Sequence, residues 1–219
     1  IERVDAAHAD GIHIESSTIQ NITIVGNTLY NAGGQGIVLY GHGGMKNALV
    51  ANNLVYDIAK SMVISGVDGV DIYNNTTFNG YVRMECTSSH AYISIINNMY
   101  NNILSELNIN SDAGGAYIRI INHGHNLFGN NPNGSGTAYP FTINATELVN
   151  TVPAFVDASN RDFRLTQTSV AVDFGNADHG PTTDITGIPR DAAPDAGCYE
   201  YDSGSTIEKK EGSQSSLAP

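Results

Sequence analysis

Tryptophan is absent, only two cysteines occur, and Lys and Arg together number 10 against 22 Asp and Glu in 219 residues. The formal charge of −12 argues against a general nucleic-acid binder, because phosphate demands a basic surface. A polyanionic ligand would need locally placed cations instead. No apolar run approaches the roughly 20 residues that a helix needs to cross a bilayer, and no signal-peptide pattern opens the sequence. Two cysteines do not decide a redox compartment. Cys86 and Cys198 are one potential pair, and the simpler reading is two small core fillers. Charged residues make up only 15% of the chain, the deficit being filled by Asn, Ser, Thr and Gly. That mixture suits many short strands joined by tight turns better than helices. The abrupt start at Ile1-Glu2-Arg3-Val4 is read as that of a fragment or processed chain whose earlier coils are missing.

What the sequence does contain is a repeat. An Asn followed within three residues by an aromatic recurs as Asn27-Thr28-Leu29-Tyr30, Asn53-Leu54-Val55-Tyr56 and Asn75-Thr76-Thr77-Phe78, then as Asn98-Met99-Tyr100 and Asn126-Leu127-Phe128. The Asn-to-Asn spacings are 26, 22, 23 and 28. Between them runs a second series of alternating strands: Ile12–Glu15, Ile37–Tyr40, Met62–Ser65, Val82–Glu85 and Leu107–Asn110. Period two inside short strands, repeated at a near-constant longer period, predicts an all-β, single-stranded right-handed parallel β-helix of about five or six coils. Stacking at about 4.8 Å per rung puts Ile12, Ile37, Met62, Val82 and Leu107 in one inward column. Ile14, Leu39, Ile64, Met84 and Ile109 form a second. The turn asparagines then bond one another in a ladder that satisfies turn amides. They are read as structural.

The last third differs. Asn130 to Gly136 reads as a loop. Beyond it stand Pro153-Ala154-Phe155-Val156-Asp157, Asp162-Phe163-Arg164-Leu165, Ser169 to Gly175, Thr183 to Arg190 and Asp195-Ala196-Gly197-Cys198-Tyr199-Glu200-Tyr201. This run closely resembles the terminal segment of bacterial parallel β-helix proteins of the pectate-lyase-like superfamily, called choice-of-anchor because different cell-surface anchors follow it. The expected organisation is coils over 1–130, a C-terminal end and capping segment over 131–201 that covers the last open strand edge, and a disordered tail or linker over 202–219. The resemblance implies a secreted or cell-surface protein with a possible anchor beyond its C-terminus.

Outward positions on the second strand series form two further columns. One reads His13, Val38, Val63, Arg83, Asn108, and the other Glu15, Tyr40, Ser65, Glu85, Asn110. Asp10-Gly11-Ile12 resembles the strand starts of pectate lyases and polygalacturonases, whose corresponding face is the sugar-binding cleft. The resemblance therefore makes this face a polysaccharide groove, with His13, Glu15, Glu85 and Asn108 as substrate-binding residues.

For β-elimination, Arg83 would clamp a uronate carboxylate with its planar fork. Lys60, or neutral His42, would act as base, and Tyr40 would donate the proton. Calcium is a common helper in the family, and Asp10 above all, with Glu15 and Glu85, is a candidate oxygen ligand for it. A glycosidase needs carboxylates about 5–5.5 Å or 6.5–9.5 Å apart. Backbone spacing sets Glu15 and Glu85 roughly 14 Å apart and Asp10 and Glu15 about 17 Å apart. Gly41-His42-Gly43 matches a polygalacturonase fragment, but the family's double Asp and Arg-x-Lys are missing. His90, His123, His125 and His179 read as surface histidines. Two alternatives stay open: a glycoside hydrolase of the same fold whose acids lie in missing N-terminal coils, and a non-catalytic carbohydrate-binding or adhesion module.

Overall fold

The computed structural model describes residues 9–86, 94–111, 118–132 and 141–202. His90, the chain start at 1–8 and the tail at 203–219 lie outside the described residues, as do the side chains of Cys86 and Asn110.

The chain winds as a parallel β-solenoid of about five turns. The first coil consists of β1 (Ile12–Glu15), β2 (Gln20–Val25) and β3 (Thr28–Tyr30). The second is a long bent strand, β4 (Gln35–Ala51), followed by β5 (Leu54–Tyr56), and the third repeats this with β6 (Lys60–Tyr73) and β7 (Thr76–Phe78). The fourth returns to three strands, β8 (Tyr81–Cys86), β9 (Ser94–Tyr100) and β10 (Ile103–Leu104). The fifth has β11 (Leu107–Ser111), β12 (Ile118–Gly124) and β13 (Leu127–Phe128). A last short rung, β14 (Leu148–Val149), pairs with β13. Among the described residues the only helix is a single 3-10 turn at Ala158–Asn160.

The predicted columns hold residue by residue. Ile12 pairs with Ile37, Ile37 with Met62, Met62 with Val82 and Val82 with Leu107; Ile14, Leu39, Ile64, Met84 and Ile109 follow two positions on. From Ile37 onward these side chains are buried in one continuous core. Each contributes roughly 1.5–3 kcal/mol by leaving water, and a one-residue slip would expose them all, so the register is strongly specified.

The Asn ladder is present with one correction. It runs Asn27, Asn53, Asn75, Asn102, Asn126, each amide Nδ2 donating to the next Oδ1 at 2.9–3.1 Å. Its fourth member is therefore Asn102, not Asn98. Asn98-Met99-Tyr100 stands one strand earlier, level with Asp71-Ile72-Tyr73, and Asn98 donates to Asp71 instead. The ladder motif in that coil is Asn102-Ile103-Leu104, where Leu replaces the expected aromatic. The residue before each ladder Asn is left-handed: Gly26, Asn52, Asn74, Asn101 and His125 have φ between 50° and 71°. Asn and Gly suit that conformation best, which explains the doubled asparagines.

The C-terminal segment adds β14 as a final rung and then turns back along the flank, where an end cover was expected. A hairpin of β15 (Phe155–Asp157) and β16 (Asp162–Leu165) and the irregular chain after it pack on the outer face of the β3–β5–β7–β10–β13 sheet. Leu54, Tyr56, Ile103 and Leu127 point outward there and are buried by Phe163, Leu165, Ala171, Ala196 and Cys198. The second member of each doubled Asn builds the ladder, while the first holds this segment. Asn52 donates to Thr183 O, Asn74 to Asp195 O, and Asn101 to Asn176 O and His179 O. Cys198 is a free, buried thiol that burial pushes up to about 12.

Candidate functional site

The outer face of β1, β4, β6, β8 and β11 carries the two predicted outward columns in the predicted register: His13–Val38–Val63–Arg83–Asn108, and Glu15–Tyr40–Ser65–Glu85. Val38, Val63 and Ser65 are buried rather than solvated. Long side chains from the neighbouring rungs meet above the Ser65 rung: Tyr40 Oη donates to Glu85 Oε1 at 3.4 Å, although the two stand two rungs apart. Parity told which side these residues face, but not that larger neighbours would roof over the small ones.

Two polar groups meet on this wall. In the first, Asp10 Oδ2 lies 2.7 Å from His13 Nδ1, His13 Nε2 lies 3.6 Å from Glu15 Oε2, and Glu15 Oε1 lies 2.7 Å from His42 Nε2. In the second, Glu85 receives the Tyr40 hydroxyl, and its Oε2 stands 2.5 Å from Arg83 Nε as a charge contact without hydrogen-bond alignment. The His13 ring meets the Tyr40 ring edge-on at 5.7 Å and joins the two groups.

The corner between the legs of β4 explains how His42 arrives. Tyr40 is level with Ser65 and Met45 with Val67, so Gly41-His42-Gly43-Gly44 stands opposite the single residue Gly66. Three extra residues bulge outward, with His42 and Gly43 at φ 44° and 78°. Gly41 and Gly44 have no room for a side chain: a Cβ would come within 2.2 Å of Gly66 O and 1.6 Å of Ser17 O respectively. The Gly-His-Gly tripeptide is thus a device that swings an imidazole onto Glu15.

The hydrogen bond from His42, aided by the nearby His13, holds the exposed Glu15 carboxyl below the usual carboxylate range. Burial, with the Glu85 charge beside it, pushes the Tyr40 phenol up, so it stays protonated through neutral pH. Sequence reasoning missed Gln35. Its backbone N–H donates to Asp10 Oδ1 at 2.6 Å, holding the first group from the strand start, and its side-chain Oε1 is buried without a hydrogen-bond partner among the described residues. Its place in line with Lys60, two residues before Ile37, was the available signal.

Lys60 opens β6 between Gln35 and Tyr81, and Asn108 stands beside Arg83 on the next rung. Among the described residues neither bonds another member of the set. Backbone spacing also misjudged Asp10 and Glu15: His13 bridges them, so their carboxylates come within roughly 9 Å, inside the span of an inverting pair. Asp10, however, has a side chain only 2% exposed and both oxygens engaged.

The three candidate calcium ligands are each already bonded within the wall. Asp10 is bonded to His13 and Gln35, Glu15 to His42, and Glu85 to Tyr40, and among the described residues no three His, Cys, Asp or Glu side chains group as a metal site. His123, His125 and His179, read as surface histidines, each have partners. His123 bonds the buried Glu147, His125 bonds Phe174 O, and His179 stacks on Tyr100 at 3.8 Å.

Comparison with protein-family models and with curated proteins finds no match. No helix among the described residues is long and apolar enough to cross a membrane.

Proposed function

We propose that this chain works outside the cell or at its surface on a uronate-containing polysaccharide, which lies across the outer face of β1, β4, β6, β8 and β11 and is cleaved by β-elimination. One observation carries the reading: a phenol kept protonated by burial stands on the same wall as a guanidinium, the phenol hydrogen-bonded to Glu85 and the guanidinium in charge contact with it. Arg83, with Nε turned toward Glu85, presents its outer fork to the uronate carboxylate and makes the adjacent C5 proton more acidic. Lys60 or His42 takes that proton, the electron pair forms the C4–C5 double bond, and the C4–O bond breaks. Tyr40 then protonates the departing oxygen, so a proton leaves C5 and one reaches the leaving group. Glu15 orients His42 in the manner of a carboxylate behind an imidazole base.

A second reading, a non-catalytic glycan-binding wall, is favoured by a different observation. Arg83, Tyr40 and His42 each already contact a carboxylate of the wall. A hydrolase would have its acids in further coils; within this wall itself the proton donor would have to be Asp10 or Glu15. Asp10 is enclosed, and the lowered Glu15 carboxyl is a poor acid.

Incubation with polygalacturonate separates these readings. Elimination yields products with the ultraviolet absorbance of an unsaturated uronate, and Arg83→Ala is expected to abolish both turnover and retention on immobilised substrate. New reducing ends without that absorbance would replace elimination by hydrolysis, and retention without products would leave a binding wall. Unchanged retention by Arg83→Ala would remove Arg83 from the groove.

A further inference from the structure

Away from this wall, on the sheet formed by β3 and β5, an aromatic column and an arginine meet. Tyr30 and Tyr56 occupy the same position on successive rungs and stack nearly parallel, 5.1 Å apart with 8° between their planes. Tyr56 rests on Phe163 at 4.9 Å, and Phe163 on Phe78 and Phe155, so the column is backed by a packed aromatic cluster. Tyr30 is its outermost member and is 40% exposed.

Arg161 ends the 3-10 turn in a left-handed conformation, φ 67°, with its N–H bonded to Ala158 O. Its guanidinium carbon lies 5.3 Å from the Tyr30 centroid and 5.9 Å from that of Tyr56. Near-equal distances to two parallel rings put the cation beside the stack rather than across its outer end. The face of Tyr30 turned away from Tyr56 therefore meets no ring or cation of a described residue. Among the described residues Arg161 also makes no ion pair, whereas Arg164, three residues on, is closed by Asp162. In a chain of net charge −12, an arginine with no carboxylate partner among the described residues, beside an exposed tyrosine, is an unusual conjunction.

We propose that Tyr30 and Arg161 form a second binding site, separate from the wall and independent of its chemistry, for a single acidic sugar unit. The ring supplies a flat apolar face for the sugar's C–H side, and the guanidinium a planar fork for its carboxylate. The rigid backing lowers the ordering cost that an exposed side chain would otherwise pay on binding.

The absence of tryptophan provides the test. Tyr30→Trp introduces a single indole at the site, whose emission responds to a sugar laid on it and not to events at the wall. Titration with oligogalacturonate is expected to shift that emission saturably, with at least tenfold weaker binding of the neutral galacto-oligosaccharide. Adding Arg161→Gln should remove the preference for the charged sugar, while Arg161→Lys retains part of it. Arg83→Ala should leave the shift unchanged, so this result stands whether or not the wall cleaves anything. No shift, an equal response to the neutral sugar, or an equal response in Arg161→Gln would overturn the site and leave Arg161 as a packing contact for the hairpin.

Discussion

Asn75 makes four side-chain hydrogen bonds without meeting water. It donates to Val50 O and Asn102 Oδ1 and accepts from the Asn53 backbone N–H and Asn53 Nδ2. Asn75→Ala takes the acceptor from the Asn53 backbone N–H and from one Asn53 Nδ2 proton, and a donor from Val50 O and Asn102 Oδ1, on the rungs to either side, at about 1–3 kcal/mol for each buried group left unsatisfied. A loss of about 3–5 kcal/mol is expected in urea unfolding, against about 1 kcal/mol for Asn27→Ala at the half-exposed start of the ladder. Equal losses at the two positions would mean the ladder does not act as a connected chain. The ladder ends on Glu147, whose carboxylate accepts from Asn126 Nδ2, Asn144 N and His123 Nδ1. A carboxylate needs no further acceptor, so the ladder closes without an orphaned amide. The turn asparagines were legible because spacing and residue type agree. Asn98 misled because an Asn before an aromatic reads the same one strand early.

At the scale of the element, strand parity assigned inside and outside correctly along the sheet of β1, β4, β6, β8 and β11. It did not reveal that the Gly41–Gly44 corner swings His42 over to Glu15. That depends on a count mismatch between neighbouring rungs, four residues against one, which is visible only when the rungs are laid side by side. The corner is sensitive for a steric reason. Gly41→Ala sets a methyl 2.2 Å from Gly66 O and 2.8 Å from Met45 Cβ, between backbone and core that cannot both move. It is expected to destabilise by more than about 2 kcal/mol, the range of overpacking in a close-packed interior. Gly26→Ala meets nothing within 4 Å and pays only for its left-handed φ of 71°, about 1 kcal/mol. Thermal melts of the two variants check the ordering.

For the whole molecule, the C-terminal segment is clasped to the solenoid by a buried group that titrates. Arg190 donates to Glu200, to the carbonyls of Asp195 and Gly197 and to Asn52 Oδ1. Asp195 is 2% exposed, and burial pushes its carboxyl from 3.8 to about 6. The native state therefore holds a proton there after the unfolded chain has released it. Stability from this group is complete below about pH 4, falls as pH rises toward 6, and changes no further above that. The lowered Asp157 and Asp162 act in the opposite direction and in a lower window, their contribution being lost as pH falls below about 4. Melting temperatures between pH 4 and 6 are expected to fall in the native sequence and to fall less in Asp195→Asn. An identical slope in the two would show that Asp195 carries no proton in that range.

By itself the sequence determined the solenoid, its rung pairing, its inward columns and the facing of its outward ones. Those follow from period-two burial repeated along the chain, a local pattern that each rung states again. Tertiary structure alone decided which outward side chains meet: Asp10 with Glu15 through His13, Tyr40 with Glu85 over Ser65, and Arg161 beside Tyr30. Those contacts depend on how far side chains reach between rungs and on where an irregular segment folds back. No period in the sequence encodes either.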